Sequence, residues 1–328
     1  MTNLIHWGIL GAARINRSFV PSLLRSKQAR LAAIASRSVE RAREQAAQWK
    51  IPRVYSSYEE LLTDPSIDAV YIPLPNHLHK EWAVRVALAG KHVLVEKPLA
   101  LSEQDVDEIK NAAAQANVFV TEGMTHPHHR KTAAVRQMLT QGVIGDPRYF
   151  HGEFTFPLTR PDDYRWEKQF GGGSLWDVGC YLVSYARILF GDLPRCVQGF
   201  QVKAPSGVER TFSGILQFEE GQIAHIFTSF DLPRRRCIEI RGTQGSLLIP
   251  EPFRSENPTR VILKTEQGEK PFHFPAQDRY LGEIEDLQHA ILTGEPPSAS
   301  LEESRQNIRT IACLLQSADE GTVIKMYA

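Results

Sequence analysis

The chain has 328 residues, of which 42% are hydrophobic and 23% charged, a composition that fits about two globular domains with buried cores. Lys and Arg together number 38, as do Asp and Glu, so a formal net charge of zero gives no electrostatic reason to expect nucleic acid or an anionic membrane as a partner. The N-terminus lacks the pattern of a signal peptide, no apolar run is long enough for a transmembrane helix, and the four cysteines show no CxxC spacing, so we expect a cytoplasmic protein without disulfides or a zinc framework.

Short apolar runs alternate with amphipathic segments in the first half of the chain. The pattern predicts strands at Ile5–Leu10, Leu31–Ser36, Ala69–Pro73, His92–Val95 and Val118–Thr121, and helices at Ile15–Ser26, Ser38–Lys50, Lys80–Ala89 and Gln104–Gln115. Because strand–helix alternation favours right-handed parallel β/α units, we expect an α/β Rossmann domain, a doubly wound parallel sheet, over residues 1–122.

The second half has strand patterns separated by turn signals. Strands are predicted at Val197–Val202, Arg210–Phe218, Ile223–Phe230, Cys237–Arg241 and Ser246–Ile249, and helices at Ser174–Phe190, Gly282–Leu292 and Leu301–Ala318. We expect residues 123–328 to form an α+β domain with a large, mostly antiparallel open sheet. Helices on one face would leave the other face uncovered, which favours a homodimer or homotetramer formed through this sheet.

The turn after the first strand is similar to a dinucleotide-binding fingerprint. Gly11 matches the first glycine of G-x-G-x-x-G, Ala13 stands at the second position, and Asn16 departs from the third. The strand–turn–helix context favours cofactor binding by Gly11, Ala13, Arg14 and Ile15, since pyrophosphate binds at a helix N-terminus. The alternative is an ordinary tight turn.

The end of the second strand distinguishes NADP from NAD. An NAD enzyme places a carboxylate there, whereas this chain has Ser36-Arg37-Ser38. Arg37 can pair with a 2′-phosphate, and a serine hydroxyl can donate to it, so we expect NADP, with NAD as second choice. The alternative is a solvated arginine beside a helix whose N-cap is Ser36 or Ser38.

Three further blocks carry a family resemblance. They are Pro75-Asn76-His77-Leu78-His79, Ala89-Gly90-Lys91-His92-Val93 with Glu96-Lys97-Pro98, and Gly171-Gly172-Gly173-Ser174-Leu175-Trp176-Asp177-Val178-Gly179-Cys180-Tyr181. In order and spacing they resemble the Gfo/Idh/MocA oxidoreductases. Many members have His at the position of Tyr181. A tyrosine there resembles the branch that contains dimeric dihydrodiol dehydrogenase and NADP-dependent D-xylose dehydrogenase.

The resemblance implies roles for specific residues. It makes Lys97 and Tyr181 the catalytic pair and Asp177 a residue that binds or orients the substrate. It also assigns Ser36 and Arg37 to the 2′-phosphate. On the cofactor side we expect a set made of Pro73, Asn76, His79, Glu96 and Lys97.

The chemistry of hydride transfer fits these residue types. Charge develops on a substrate oxygen, so the site needs a proton donor or acceptor there. A free tyrosine titrates near about 10, and a nearby ammonium favours its phenolate. Tyr181 would exchange the proton while Lys97 stabilises the oxygen, and Asp177 lies four residues before Tyr181 on the same helix face. The structural alternatives are a surface lysine, its solvated Glu96 partner and a core tyrosine.

The segment His126-Pro127-His128-His129 departs from the family pattern. His129 falls where a family histidine falls, which makes it a candidate substrate contact. His126 and His129 could share a helix face, but no third ligand stands at a recognisable spacing, so we expect no metal. Arg165 fits either a polyol contact or an ordinary salt bridge.

The sequence thus predicts an NADP-dependent dehydrogenase or reductase acting on CH–OH groups of a carbohydrate or diol: an aldose such as xylose, an anhydroketose or a trans-dihydrodiol. The main alternative is a non-catalytic NAD(P)-sensing protein of the same fold, which need not retain Lys97, Asp177 and Tyr181. A third is a lyase or hydrolase that recycles its own nicotinamide, which Arg37 disfavours.

Overall fold

Two β-sheets organise the part of the chain that the computed structural model describes, residues 4–191 and 193–326. The first has six strands: β1 (Ile5–Leu10), β2 (Ala29–Ala35), β3 (Arg53–Tyr55), β4 (Ala69–Ile72), β5 (His92–Glu96) and β6 (Val120–Gly123). Their order is β3-β2-β1-β4-β5-β6 and every pairing is parallel. This is the order of a doubly wound sheet, so the predicted Rossmann architecture is confirmed.

Serine side chains begin three of the helices that connect these strands. The helices are α1 (Asn16–Leu23), α2 (Val39–Trp49), α3 (Tyr58–Leu62), α4 (His79–Leu88) and α5 (Glu103–Ala116). Ser38, Ser57 and Ser102 cap α2, α3 and α5 by accepting a hydrogen bond from the backbone N–H three residues further on. Each such cap stabilises a helix by about 1 kcal/mol. Lys50 and Asn117 end α2 and α5 in the left-handed conformation.

The core of the first sheet extends to a helix from far along the chain. Phe19 of α1 stacks on Tyr71 of β4, with ring centroids 3.6 Å apart. Ile284 and Leu287, from α8 (Leu281–Thr293), belong to the same buried apolar cluster. Burying an aliphatic side chain of this size contributes about 1.5–3 kcal/mol, which fixes α8 against this sheet.

The chain divides into two compact units. The first ends at Thr125 and also includes Tyr280–Arg305. The boundary predicted from sequence, between residues 122 and 123, would place Tyr280–Arg305 in the second domain. This segment packs in the first unit instead, because Ile284 and Leu287 complete the apolar core there.

The second unit contains a nine-stranded mixed sheet. Its strands are β7 (Pro147–Thr155), β8 (Cys196–Lys203), β9 (Glu209–Gln217), β10 (Ile223–Ser229), β11 (Arg235–Gly242), β12 (Gly245–Ile249), β13 (Thr259–Thr265), β14 (Gly268–Phe274) and β15 (Ile324–Lys325). The order is β14-β13-β12-β11-β7-β10-β9-β8-β15. Only β7 and β10 pair in parallel among these described strands, which confirms a large, mostly antiparallel sheet.

Helices pack against this sheet. They are α6 (Arg130–Thr140), α7 (Cys180–Phe190) and the part of α9 (Leu301–Glu320) from Gln306 onward. At Gly152 of β7, an added Cβ would lie 2.8 Å from the Phe150 ring and 2.9 Å from Leu182 of α7. Glycine is therefore needed for α7 to approach the sheet, and α7 carries the predicted tyrosine.

Large apolar side chains also lie on the surface of the second unit. Phe200, Val202, Ile215 and Ile223, from β8, β9 and β10, are 58%, 50%, 40% and 42% exposed. The oligomer predicted through this sheet stays a prediction. In the described ranges, no helix combines the length and apolarity needed to cross a membrane.

Candidate active site

The turn after β1 is built around Gly11. Its φ is +125°, a conformation that strains other residues, and an added Cβ would lie 2.9 Å from Leu74. Asn16 replaces the third glycine of the fingerprint with a buried amide. Its Nδ2 donates to Gly11 O (2.9 Å) and Gln45 Oε1 (2.8 Å), and Gln45 Nε2 donates to Ala13 O (3.2 Å). Side-chain hydrogen bonds therefore brace this turn.

Arg14 and Ile15 lead from this turn into α1. Arg14 is exposed and Ile15, the N-cap residue, is half-buried. The Ile15 side chain cannot cap a helix, and the first turn of α1 has no acidic residue. The positive end of the α1 dipole is thus free of a neighbouring carboxylate from its own first turn.

Ser36, Arg37 and Ser38 follow β2 as predicted. Ser38 is the N-cap of α2, so one of the two candidate serines serves the helix. Ser36 is buried, and its Oγ accepts from Ser38 N at 3.2 Å. Arg37 is exposed and contacts the hydroxyl of Tyr58, whose pKa burial raises while Arg37 lowers it. The end of β2 therefore presents a guanidinium and a serine.

The loop after β4 is fixed by a buried histidine. Pro73 and Asn76 are buried, and Asn76 begins a short 3₁₀ turn before α4. The two ring nitrogens of His79 lie 2.7 Å from Pro98 O and 2.6 Å from Leu74 O. Burial lowers the pKa of His79 to about 4, although both carbonyls favour the charged ring. His79, predicted to contact the cofactor, here joins two backbone loops.

Lys97 follows β5 and is half-buried. Glu96 beside it accepts a hydrogen bond of 2.6 Å from the Tyr71 hydroxyl. Below the same turn, buried Glu122 accepts from Leu99 N at 2.9 Å. The pKa of Glu122 lies above its usual value because burial raises it by more than its hydrogen bonds and Lys97 lower it. Sequence reasoning missed the roles of Glu122 and Tyr71. A glutamate inside the buried strand β6 is the signal that could have indicated the first.

The triple-glycine turn of the second unit wraps around a buried carboxylate. Gly173 has φ +110°, and an added Cβ would collide with the Glu209 carboxylate. Leu175 N donates to Glu209 Oε1 at 2.7 Å. Burial raises the pKa of Glu209 to about 7. Glu209, which sequence reasoning also missed, thus positions the start of the segment that carries Asp177 and Tyr181.

That segment begins as a π turn over Leu175–Gly179 before α7 starts, rather than as the uniform helix predicted over Ser174–Phe190. Asp177 and Tyr181 are both buried. Asp177 Oδ2 lies 2.8 Å from Arg165 Nε. Although burial lowers the pKa of Arg165, Asp177 and other anionic neighbours raise it above its usual value. Arg165 thus forms the salt bridge, and its contact with a polyol stays a prediction.

Aromatic rings surround Tyr181. Its ring centroid lies 5.2 Å from that of Phe253 and 6.0 Å from those of Phe154 and His126. Such spacing is typical of packed aromatic pairs. The phenol is therefore held in a fixed orientation within its own unit.

The histidine segment is buried against the same region. His126 stacks on Tyr185, with centroids 5.3 Å apart, and its Nε2 lies 3.3 Å from Ser184 Oγ. His129 Nε2 lies 3.3 Å from Ser255 Oγ, and burial lowers the pKa of His129 to about 3. Within the described residues, no group of three or more His, Cys, Asp or Glu side chains could hold a metal ion. Substrate contact by His129 stays a prediction.

The predicted site residues therefore fall into two groups. The first unit holds Gly11, Ala13, Arg14, Ile15, Ser36, Arg37, Pro73, Asn76, His79, Glu96 and Lys97, and the second holds His129, Arg165, Asp177 and Tyr181. The first group lies along the carboxyl ends of parallel strands, the edge where doubly wound sheets bind ligands. The second group lies on or beside the π turn and α7.

Comparison with known proteins identifies the family. Residues 5–124 match the description "Oxidoreductase family, NAD-binding Rossmann fold", and residues 132–248 match "GFO/IDH/MocA C-terminal domain". The chain belongs to the Gfo/Idh/MocA oxidoreductase family. The resemblance read from the three sequence blocks is thereby confirmed, and the protein is an oxidoreductase.

Relatives match almost the whole length of this family member. D-xylose 1-dehydrogenase (NADP(+)) 2 of Haloferax volcanii is 34% identical, covering 98% of this chain and 99% of the relative. Trans-1,2-dihydrobenzene-1,2-diol dehydrogenase of Xenopus laevis is 32% identical, covering 96% and 97%. A 3-ketoreductase from Actinomadura kijaniata, solved with NADP and TDP-benzene, superposes with a TM-score of 0.92 at 29% identity, covering 96% of this chain and 98% of that one.

Proposed function

We propose that this oxidoreductase transfers a hydride between NADP and a carbon of a sugar-like polyol or carbonyl compound. Its substrate would be an aldose such as xylose, an anhydroketose or a trans-dihydrodiol. The xylose and dihydrodiol dehydrogenases, each more than 30% identical over nearly the whole chain, support this substrate class. When bound, NADP supplies or accepts the hydride.

The turn after β1 fits a dinucleotide. The open backbone at Gly11 would admit the pyrophosphate, beside Ala13, Arg14 and Ile15 at the start of α1. Buried Asn16 Oδ1 accepts no hydrogen bond from the described residues, so this turn also offers an acceptor, which suits a hydroxyl of the dinucleotide and not its pyrophosphate. Pro73, Asn76 and Glu96 would complete the cofactor side.

The end of β2 fits the 2′-phosphate of NADP. The guanidinium of Arg37 would form charge-assisted hydrogen bonds with phosphate oxygens, and the Ser36 hydroxyl would donate a further hydrogen bond to the phosphate. A phosphate-free ribose would leave Arg37 without this partner. Residues 36–38 offer no carboxylate to bind a free 2′-hydroxyl, which is why NADP is preferred over NAD.

Tyr181 would transfer the proton of the reacting oxygen, and Lys97 would stabilise that oxygen. In oxidation, the C–H bond breaks as the hydride leaves, the C=O double bond forms, and Tyr181 Oη takes the hydroxyl proton; reduction reverses these steps. Lys97 Nζ would donate a hydrogen bond to the same oxygen and stabilise its negative charge. Asp177, oriented by the ion pair with Arg165, would accept a hydrogen bond from a neighbouring hydroxyl.

The observation that carries this proposal is that Lys97, Asp177 and Tyr181 occur together in a member of this oxidoreductase family, with Lys97 directly after β5, Asp177 in the π turn and Tyr181 in α7. The test follows nicotinamide absorbance with NADP and NAD, and their reduced forms, across aldoses, ketoses, anhydrosugars, inositols and dihydrodiols. Turnover that prefers NADP supports the proposal. NADPH binding without any turnover supports a sensor, and failure to bind either cofactor contradicts the assignment.

A homodimer or homotetramer through the second sheet is part of the proposal. Phe200, Val202, Ile215 and Ile223 expose apolar surface whose burial in an interface would be favourable. Light scattering coupled to size exclusion measures the mass directly. We expect more than one chain per particle, and a smaller particle for Ile215→Glu. A monomeric wild-type protein would contradict this part of the proposal.

A further inference from the structure

Basic side chains gather beside the aromatic neighbours of Tyr181. They are Lys131, Arg234, Arg236, Arg254 and Arg279. Among the described residues, their carboxylate partners include Glu251, 3.4 Å from Arg236, and Glu256, 3.8 Å from Arg279. Even if Asp278, next to Arg279 in sequence, is counted with them, the cations outnumber the carboxylates by five to three. A chain with a formal net charge of zero thus has a local positive excess here.

Arg236 links this basic cluster to the catalytic tyrosine of the proposed reaction. It is the register partner of Phe154 in the pairing of β11 with β7, and its guanidinium carbon lies 5.3 Å from the Phe154 ring centroid. The Phe154 ring also packs beside Tyr181, at 6.0 Å between centroids. One half-buried ring therefore contacts both the phenol and the guanidinium.

The hydrogen-bonding capacity of this guanidinium is only partly used. The Arg236 side chain is 7% exposed, and Glu251, its ion-pair partner, is 50% exposed. The Nε protons of Arg236 and Arg254 meet no acceptor among the described residues. Burial and the surrounding arginines lower the pKa of Arg236, and Glu251 raises it. A buried guanidinium with one N–H that lacks an acceptor is costly, and an added anion would relieve that cost.

The loop that carries Arg254 is held in place within this unit. Lys131 donates to the backbone carbonyls of Glu251 and Arg254. Between them, Phe253 stacks on Phe154 with centroids 5.4 Å apart and planes 10° apart. The Arg236 guanidinium, the two aromatic rings and the backbone at Arg254 are therefore held in place before any ligand binds, which reduces the entropy lost on binding.

We propose that the substrate of this enzyme carries an anionic group, a carboxylate or a phosphate, which Arg236 and Arg254 bind while the reacting carbon lies beside Tyr181. This inference rests on the proposed function: it keeps the hydride transfer at a sugar-like carbon and replaces the neutral compounds named there with sugar acids or sugar phosphates. A guanidinium fork matches both kinds of anion with two parallel hydrogen bonds. A neutral polyol would leave the positive excess uncompensated.

The test uses matched ligand pairs that differ in one charged group. Isothermal titration calorimetry of the NADP-saturated protein compares D-glucose with D-glucuronate and D-glucose with D-glucose 6-phosphate. We expect at least one anionic member to bind about tenfold or more tightly than glucose, because hydrogen bonds to charged groups are worth more than neutral ones. The stronger of the two arms identifies the carboxylate or the phosphate as the group recognised.

Two variants assign the effect to this cluster. Arg254→Gln changes a half-buried loop residue, and Arg236→Gln changes the buried guanidinium; each should remove most of the preference for the anion. Arg241→Gln, on an exposed position of the same strand β11, should leave it unchanged. Added NaCl should weaken binding of the anionic ligand more than that of glucose.

The outcomes separate this proposal from the reaction itself. Equal affinities within both pairs, no binding of any member, or a preference that survives both variants would overturn the anion site. If neutral sugars are turned over with NADP in that case, the proposed hydride transfer stands. Anion binding without nicotinamide turnover of any compound would support the cluster and contradict the reaction.

Discussion

Glu209→Gln tests how the turn before Tyr181 is held. Glu209 is buried, and its Oε1 accepts a hydrogen bond of 2.7 Å from Leu175 N. Glutamine keeps an acceptor oxygen at this place but cannot ionise. The substitution therefore separates the hydrogen bond, which should persist, from the cost of a buried charge, which should disappear.

The magnitude follows from the pKa of Glu209, which burial raises from its ordinary value of 4.5 to about 7. Because one pKa unit corresponds to about 1.4 kcal/mol, ionising this carboxyl costs about 3 kcal/mol more in the folded chain than in the unfolded chain. The folded chain keeps the proton where the unfolded chain loses it. Protonated Glu209 therefore makes its full contribution to the stability of the folded chain below pH 4.5, and this contribution is lost as the pH rises through about 7.

Urea unfolding, followed by intrinsic fluorescence at about pH 4 and about pH 8, measures this contribution. We expect the Gln variant and the wild-type protein to have similar unfolding free energies at the lower pH. At the higher pH the variant should be more stable by about 3 kcal/mol. Glu266→Gln, in the exposed turn between β13 and β14, is the matched control and should show no such change. A variant-to-wild-type difference that does not depend on pH would refute the reasoning.

Three further predictions concern other residues of the candidate site. Asn16→Ala removes the donor to Gly11 O and should weaken NADPH binding about tenfold, measured by nicotinamide fluorescence; unchanged affinity would show that the brace is not needed. Arg165→Gln leaves the buried Asp177 carboxylate without its cation and should lower the unfolding free energy by about 3–5 kcal/mol in urea titrations, a loss that Arg165→Lys should partly restore; a change below about 1 kcal/mol would argue against the ion pair. Arg37→Asp should shift the ratio of kcat/KM for NADP over NAD towards NAD by about a hundredfold or more, since two charge-assisted hydrogen bonds are replaced by repulsion, and an unchanged ratio would remove Arg37 from the cofactor site.

The first sheet could be predicted almost completely from sequence because its strands are buried on both faces. Runs such as Ile5–Leu10 are mostly apolar, and small or polar turns separate them from amphipathic helices. The three-residue strand β3 (Arg53–Tyr55) was missed because its residues are only half-buried and show no such run. The helix α8 could be predicted as a helix, but periodicity says nothing about which sheet receives its apolar face.

The second sheet was predicted less completely because four of its strands, β7, β13, β14 and the two-residue β15, show no clear alternating pattern. Pro147–Thr155 begins with proline and has a glycine at its centre, yet it forms the central strand β7. Gly268–Phe274 carries charges along an exposed edge, where packing imposes little pattern. Its neighbour Thr259–Thr265 was missed as well.

The candidate site divides in the same way. Lys97 and Tyr181 could be named from sequence because they lie in recognisable blocks, although no spacing rule alone required either. Asn16, Glu122 and Glu209 act through contacts with residues far along the chain or through burial, which a linear pattern does not contain. Their roles became visible only with the fold.

The most direct test of the central claim is turnover of NADP by the wild-type protein, Lys97→Met and Tyr181→Phe on the best compound of the substrate panel. Tyr185→Phe, four residues further along α7 and also buried, is the matched control for loss of a hydroxyl. With NADPH binding intact, we predict that kcat/KM falls about 10²–10⁴-fold in both site variants and stays near the wild-type value in the control. Site variants that retain wild-type turnover would contradict the assignment of Lys97 and Tyr181 as the proton-transfer pair.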